Sequence, residues 1–153
     1  MRFFTPLTAL TLVAVAASCS SDTTKPPVPV DCSSVADTTQ PATVSFQNDI
    51  FALFLEVSNG GYGCNNSGCH GSPFIASHYA VSTYDEFLTP GDQAQALNIC
   101  VIKPGDPENS YLVWKLEGRT GIDGVQMPQT GAKMTPQDIT LVRTWILEGA
   151  RNN

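Results

Sequence analysis

The residues with the clearest chemical potential lie in one short segment, Cys64-Asn65-Asn66-Ser67-Gly68-Cys69-His70. A cysteine followed directly by histidine, with a second cysteine a few residues upstream, is the pattern that attaches haem covalently. Each thiol adds across one haem vinyl group, and the histidine then lies under the iron and binds it through a ring nitrogen. The segment predicts one haem c, with Cys64 and Cys69 as thioether residues and His70 as the proximal iron ligand.

Four residues separate the two cysteines, whereas the usual haem attachment site has two. The intervening Asn, Asn, Ser and Gly are small and turn-forming, so an enlarged loop is easily built. Gly71 is expected to leave room beside the haem. Two other interpretations remain open. The cysteines could form a small disulfide loop, or they could bind zinc together with His70 and His78.

A sixth iron ligand would have to come from a distant part of the chain. Met127 lies in a loop rich in glycine and precedes Pro128, which biases its backbone towards an extended conformation. A methionine on such a loop is the usual arrangement for a thioether on iron, so Met127 is the expected distal ligand. Met134 lies directly before the helix start at Thr135 and is the less favoured candidate. Either methionine could instead be a core residue.

Short helices separated by long loops must position these residues. Each predicted helix begins at a capping residue and carries an apolar stripe. The predicted helices run over residues 45–59, 83–88, 106–118 and 135–149. No run of alternating residues predicts a strand, so the expected fold class is all-α. Long loops are uncommon unless something organises them, and the apolar surface of a haem could do so.

The N-terminal residues predict export. An apolar run from Leu7 to Ala17 is too short to span a bilayer, which needs roughly 20 residues, but has the length of a signal-peptide core. Small residues precede Cys19, as in the lipobox of bacterial lipoproteins. Residues 1–18 are therefore expected to be a signal peptide and Cys19 the lipidated residue, with ordinary signal cleavage as the alternative. Residues 19–43 predict a flexible tether to a domain at 44–150, and 151–153 a short tail.

The charge balance argues against nucleic acid as a partner. The 153-residue chain has a formal net charge of −6, and its 42% hydrophobic content is ordinary for one globular domain. No nucleophile–base pair and no carboxylate dyad is evident, so the chain is not expected to be an enzyme. If Cys19 carries lipid and Cys64 and Cys69 hold haem, Cys32 and Cys100 remain in an oxidising compartment, and we predict a disulfide between them.

From Phe46 to Ala150 the chain resembles small bacterial c-type cytochrome domains of the planctomycete type. Four motifs carry the resemblance in the family's order: Cys69-His70-Gly71, the segment 102–112, the loop 127–131 and the final helix 135–150. The resemblance implies a cytochrome c-like fold wrapped around one haem, with Cys64, Cys69, His70 and Met127 in the roles given above. The chain departs from the family pattern in its longer cysteine gap and at Gln129, where the family often has a second proline.

These features favour a periplasmic or cell-envelope electron-transfer protein that is held at a bacterial membrane by its N-terminal lipid and exchanges electrons with a redox partner protein. A first alternative is a haem-based sensor or binding module, in which Met127 does not bind the iron. A second is a haem-free surface lipoprotein stabilised by disulfides.

Overall fold

The computed structural model describes residues 30–34, 36–55, 57–73 and 75–153. Within these residues the chain is helical and has no strand, which confirms the predicted all-α class. The α-helices are α1 (Phe51–Phe54), α2 (Tyr84–Leu88), α3 (Asp92–Ala96), α4 (Tyr111–Glu117) and α5 (Pro136–Leu147). A π-helical turn at Phe46–Ile50 precedes α1, and single 3-10 turns lie at Val57–Asn59, Ala76–His78 and Pro107–Asn109. The predicted signal peptide, Cys19 and the first part of the tether lie outside the described residues.

The first helical segment is shorter than predicted. Ser45 is the N-cap, as expected, and its side chain accepts a hydrogen bond from the Asn48 N–H. The segment ends at Phe54, because Leu55 adopts an extended conformation. Val57, which lies at helical spacing from Phe54 in the sequence, therefore follows the break and is 69% exposed.

The core is built around a cluster of aromatic rings. Phe46 before α1 and Phe87 on α2 lie with their ring centroids 5.2 Å apart in an edge-to-face arrangement. Trp145 of α5 is fully buried, and its ring centroid lies 5.5 Å from that of Phe46 in a tilted arrangement. Its indole N–H donates to the Arg151 carbonyl. The cluster joins the first helical segment to the last helix, so the two ends of the predicted domain share one core.

Helix α4 begins later than the sequence predicts. Asp106 caps a 3-10 turn with Pro107 as its first residue, but Ser110 is extended and separates this turn from α4. The Ser110 hydroxyl explains the break, since it accepts from the Lys103 N–H at 2.8 Å and donates to the Asp106 carbonyl at 2.9 Å. Gly118 ends α4 in the left-handed conformation, at φ 69°, as is common for a residue at this position.

Both the segment before the helical domain and the C-terminal residues are attached to the domain by covalent or hydrogen bonds. The Sγ atoms of Cys32 and Cys100 lie 2.07 Å apart, at disulfide distance. At the junction of the predicted tether and domain, the N–H groups of Thr43 and Val44 donate to the Glu148 carboxylate. The terminal Asn153 accepts from the Phe46 N–H through its side-chain oxygen. Within the described parts of the chain, none of the helices has the length and hydropathy needed to span a membrane.

Candidate functional site

The loop that contains the two cysteines is held at the end of α1. Three carbonyl groups at this end accept hydrogen bonds from the loop instead of from a further helical turn. The carbonyl of residue 53 accepts from the N–H of residue 62, that of residue 54 from residue 65, and that of residue 55 from residue 63. Unsatisfied carbonyls at a helix C-terminus are thereby used to anchor the loop. Cys64 lies between two of the anchored residues, so its position is fixed relative to the core.

The enlarged cysteine gap folds as a compact series of turns. The Cys69 N–H donates to the Asn66 carbonyl at 3.0 Å, and the His70 N–H donates to the Cys64 carbonyl at 2.9 Å. Gly71 is required by the fold of this loop. A Cβ atom at this position would lie 1.8 Å from the Asn65 carbonyl oxygen, so the missing side chain makes room for the loop's own backbone.

His70 has one ring nitrogen bound and the other available. Its Nδ1 lies 2.7 Å from the Tyr79 carbonyl oxygen, which can only accept, so Nδ1 carries the proton and donates. The unprotonated nitrogen is then Nε2. Burial lowers the pKa of His70 more than the hydrogen bond to the Tyr79 carbonyl raises it, and the positive charge of Lys115 lowers it further. The side chain is therefore held as a neutral imidazole in a fixed orientation, which is the form that binds a metal.

Met127 and His70 meet at one cavity although they are far apart in sequence. The cavity has a volume of about 280 Å³, and Cys64 also lines it. Most of the remaining wall is apolar. Its polar residues include Tyr111 and Lys115 of α4 and Gln129. A mostly apolar cavity with a few convergent polar groups is the usual form of a cofactor site.

The two candidate methionines have different surroundings. Met127 is partly buried and lines the cavity, and its N–H donates to the Lys115 carbonyl at 2.7 Å. Met134 is 4% exposed and belongs to the hydrophobic core. Met134 is not among the residues that line the cavity.

The two cysteines of the motif face different depressions. Both are free thiols and partly buried. Cys64 lines the cavity, whereas Cys69 lines a second depression together with Tyr62 and Asn66. Burial, together with the neighbouring Cys69, raises the pKa of the Cys64 thiol to about 12. At neutral pH Cys64 is therefore a protonated thiol inside an apolar wall.

His78 is not among the residues that line the cavity. It is 85% exposed, and its Nδ1 lies 2.8 Å from a carboxylate oxygen of Asp92. Among the residues that the structure describes, no group of three or more His, Cys, Asp and Glu side chains is arranged to hold a metal ion. The zinc interpretation of the cysteine motif would need such a group.

Lys115 is the residue of the cavity wall whose importance the sequence did not reveal. It was predicted only as part of a helix, yet it is 7% exposed. Its Nζ donates to the Asp123 carbonyl at 2.7 Å, and burial lowers its pKa. One signal was present in the sequence: Lys115 is a lone charge among the apolar residues of Tyr111-Leu112-Val113-Trp114-Lys115-Leu116.

Comparisons with family models, with curated proteins and with solved structures found no match. The chemistry of the site is set by the residues that form it. Their donor set is an imidazole nitrogen, a thioether sulfur and a thiol on one apolar cavity, with a second thiol directly before the histidine. In type these groups match a covalently attached haem, which needs nitrogen and sulfur ligands and two attachment thiols, although Cys69 faces the second depression.

Proposed function

We propose that this chain is a c-type cytochrome that holds one haem c and transfers single electrons. Cys64 and Cys69 would form the thioethers, and His70 and Met127 would bind the iron. The observation that carries the proposal is that a neutral, oriented histidine and a methionine 57 positions later line the same apolar cavity. The cytochrome c-like fold is part of this proposal, and the helical architecture with long loops supports it.

His70 would be the more rigid of the two iron ligands. The Tyr79 carbonyl fixes its tautomer and ring orientation, and the His70 carbonyl itself accepts from the Val81 N–H at 3.1 Å. A ligand oriented in this way is typical of metal-binding histidines, whose second nitrogen is held by a carbonyl or carboxylate. Met127 would complete a His/Met pair, which favours ferrous iron more than two histidines do.

The apolar wall would restrict water at the redox centre. When bound, haem supplies the one-electron couple between ferric and ferrous iron, and the protein sets its ligands and surroundings. No acid–base or nucleophilic group is needed for this process, so we propose an electron carrier rather than an enzyme. We also propose that it is exported and anchored by lipid on Cys19, and that it meets a redox partner protein rather than nucleic acid.

The decisive experiment is the visible spectrum of the full chain produced in a host with cytochrome c assembly machinery. We expect haem to remain on the protein after acid extraction. If no haem remains, the result supports the alternative of a haem-free lipoprotein. The ferric protein should also show the weak long-wavelength charge-transfer band of methionine-bound iron. Covalent haem without this band would indicate an open iron site, as in a sensor of small ligands.

Two matched variants test the assignment of the methionine. Met127→Leu should abolish the charge-transfer band while the haem stays attached. Met134→Leu makes the same change in the core and should keep the band, with some loss of thermal stability. Loss of the band only in the second variant would show that Met134 is the ligand. Cys19→Ser should in turn release the protein from the membrane fraction without changing the spectrum.

A further inference from the structure

Met127 lies on a loop that has no helix or strand of its own, residues 118–134, which we call the Met127 loop. A loop fixes a side chain only if its backbone is held by the rigid parts of the molecule. The hydrogen bonds between this loop and α4 are therefore central to where the Met127 sulfur lies.

Two side chains of α4 form hydrogen bonds with the backbone N–H and the backbone carbonyl of one residue in the Met127 loop. The Asp123 N–H donates to the Tyr111 hydroxyl at 3.0 Å, and the Asp123 carbonyl accepts from the Lys115 Nζ at 2.7 Å. Tyr111 and Lys115 are four positions apart, so they lie on the same face of the helix. That face also forms part of the cavity wall.

Lys115 contacts the Met127 loop at a second point through its backbone. Its carbonyl accepts from the Met127 N–H at 2.7 Å, four residues beyond the contact with Asp123. The segment between the two contacts includes Gly124 and Val125, which line the cavity. One residue thus holds both ends of the segment that leads to the methionine.

Lys115 is a buried residue although its side chain carries a charge. The residue as a whole is 7% exposed, and among the described residues no carboxylate forms an ion pair with its ammonium group. A buried charge is tolerated only where hydrogen bonds satisfy it. Its bond to the Asp123 carbonyl is a charge-assisted one, which is stronger than a bond between neutral groups.

We propose that Lys115 is a positioning residue for Met127: by binding the Asp123 carbonyl, its side chain sets where the methionine sulfur lies at the cavity. The inference rests on the proposed function, since it concerns Met127 as an iron ligand. Lys115 acts through the loop and is not itself a ligand.

The test compares three variants of the full-length, haem-loaded protein. Lys115→Met removes the ammonium and keeps the length of the side chain, whereas Lys115→Arg keeps a charged donor. Lys103→Met makes the same change at a lysine that pairs with Asp106 and makes no hydrogen bond to the Met127 loop. The readouts are the methionine charge-transfer band and the affinity of the ferric protein for added imidazole, which competes with the methionine for the iron.

Lys115→Met should weaken the band and increase the affinity for imidazole by about tenfold or more, the ratio expected from losing a buried hydrogen bond to a charged group. Lys115→Arg should recover part of both signals, and Lys103→Met should leave both unchanged. Tyr111→Phe, which keeps the buried ring, should shift the imidazole affinity in the same direction by less. It serves as the test should Lys115→Met fail to fold.

The proposal is overturned if Lys115→Met keeps the band and changes the imidazole affinity by less than about twofold. It is also overturned if Lys103→Met has the same effect, or if Lys115→Met does not fold and Tyr111→Phe changes nothing. Failure of the proposed function gives a different result, because the parent protein itself would then lack covalent haem or the methionine band.

Discussion

Replacing Cys32 by serine should reduce the free energy of unfolding substantially while leaving the folded core intact. Cys32 is exposed, so the substitution removes no buried contacts. Its partner Cys100 is 1% exposed and stays in place. The effect should therefore come from the loss of a cross-link that joins two residues 68 positions apart in sequence.

The magnitude follows from the entropy of closing a loop of this length in the unfolded chain. A loop of 68 residues corresponds to about 4 kcal/mol at 25 °C. For a domain of this size, the same change lowers the melting temperature by roughly 15 °C. The loss is large compared with the stability of a typical domain, so the variant should unfold at a much lower denaturant concentration.

The assay is urea unfolding of the haem-loaded protein, followed by circular dichroism and by haem absorbance. A Cys32→Ser/Cys100→Ala double variant controls for new reactions of the free Cys100 thiol, and mass spectrometry without reductant verifies the cross-link in the parent. A loss below about 1 kcal/mol would refute the reasoning, because the loop-closure entropy would then not stabilise this protein. Two free thiols in the parent would refute the disulfide itself.

Three further perturbations test other parts of the structure. Phe87→Ala should cost about 3–5 kcal/mol in chemical unfolding, because the ring is fully buried among other aromatic rings; a cost near that of a surface substitution would contradict this packing. In the reduced apoprotein at pH 8, Cys64 should react with iodoacetamide about 10³-fold more slowly than in the urea-unfolded chain, because burial raises its pKa to about 12; equal rates would contradict the burial. Glu148 is partly desolvated, but hydrogen bonds from Thr43 and Val44 outweigh this and lower its pKa. The ionised Glu148 carboxylate therefore stabilises the fold fully at pH values above its ordinary pKa, and this stabilisation is lost as the pH falls through its lowered pKa. The difference in unfolding free energy between the parent and Glu148→Gln should shrink between about pH 5 and 3. A difference that does not change with pH would contradict this role.

The helix starts could be predicted from sequence because each depends on a few neighbouring residues. Thr83 with Glu86 forms the predicted capping box, and Thr135 followed by Pro136 caps α5 as expected. The helix at Asp92–Ala96 was missed because its residues, Asp-Gln-Ala-Gln-Ala, carry no apolar stripe.

The candidate site was predictable in its residue types but not in its surroundings. The Cys-His pair and Met127 stand out by local pattern, whereas the meeting of Met127 with His70 at one cavity depends on contacts across the whole domain. The role of Lys115 could not be predicted either, because it depends on contacts with the Met127 loop and because a lysine on a helix is ordinarily exposed. Only the position of the Met127 loop against α4 shows why this lysine is buried.

The cross-link between Cys32 and Cys100 would also limit how far the proposed haem site can move from a membrane. If Cys19 carries lipid, the first covalent attachment to the domain, at Cys32, lies 13 positions after the anchor. A fully extended chain of that length reaches at most about 45 Å. Cys100 is followed directly by Val101, which lines the cavity. The tether would thus attach beside the haem site and keep electron exchange within a thin layer above the lipid surface.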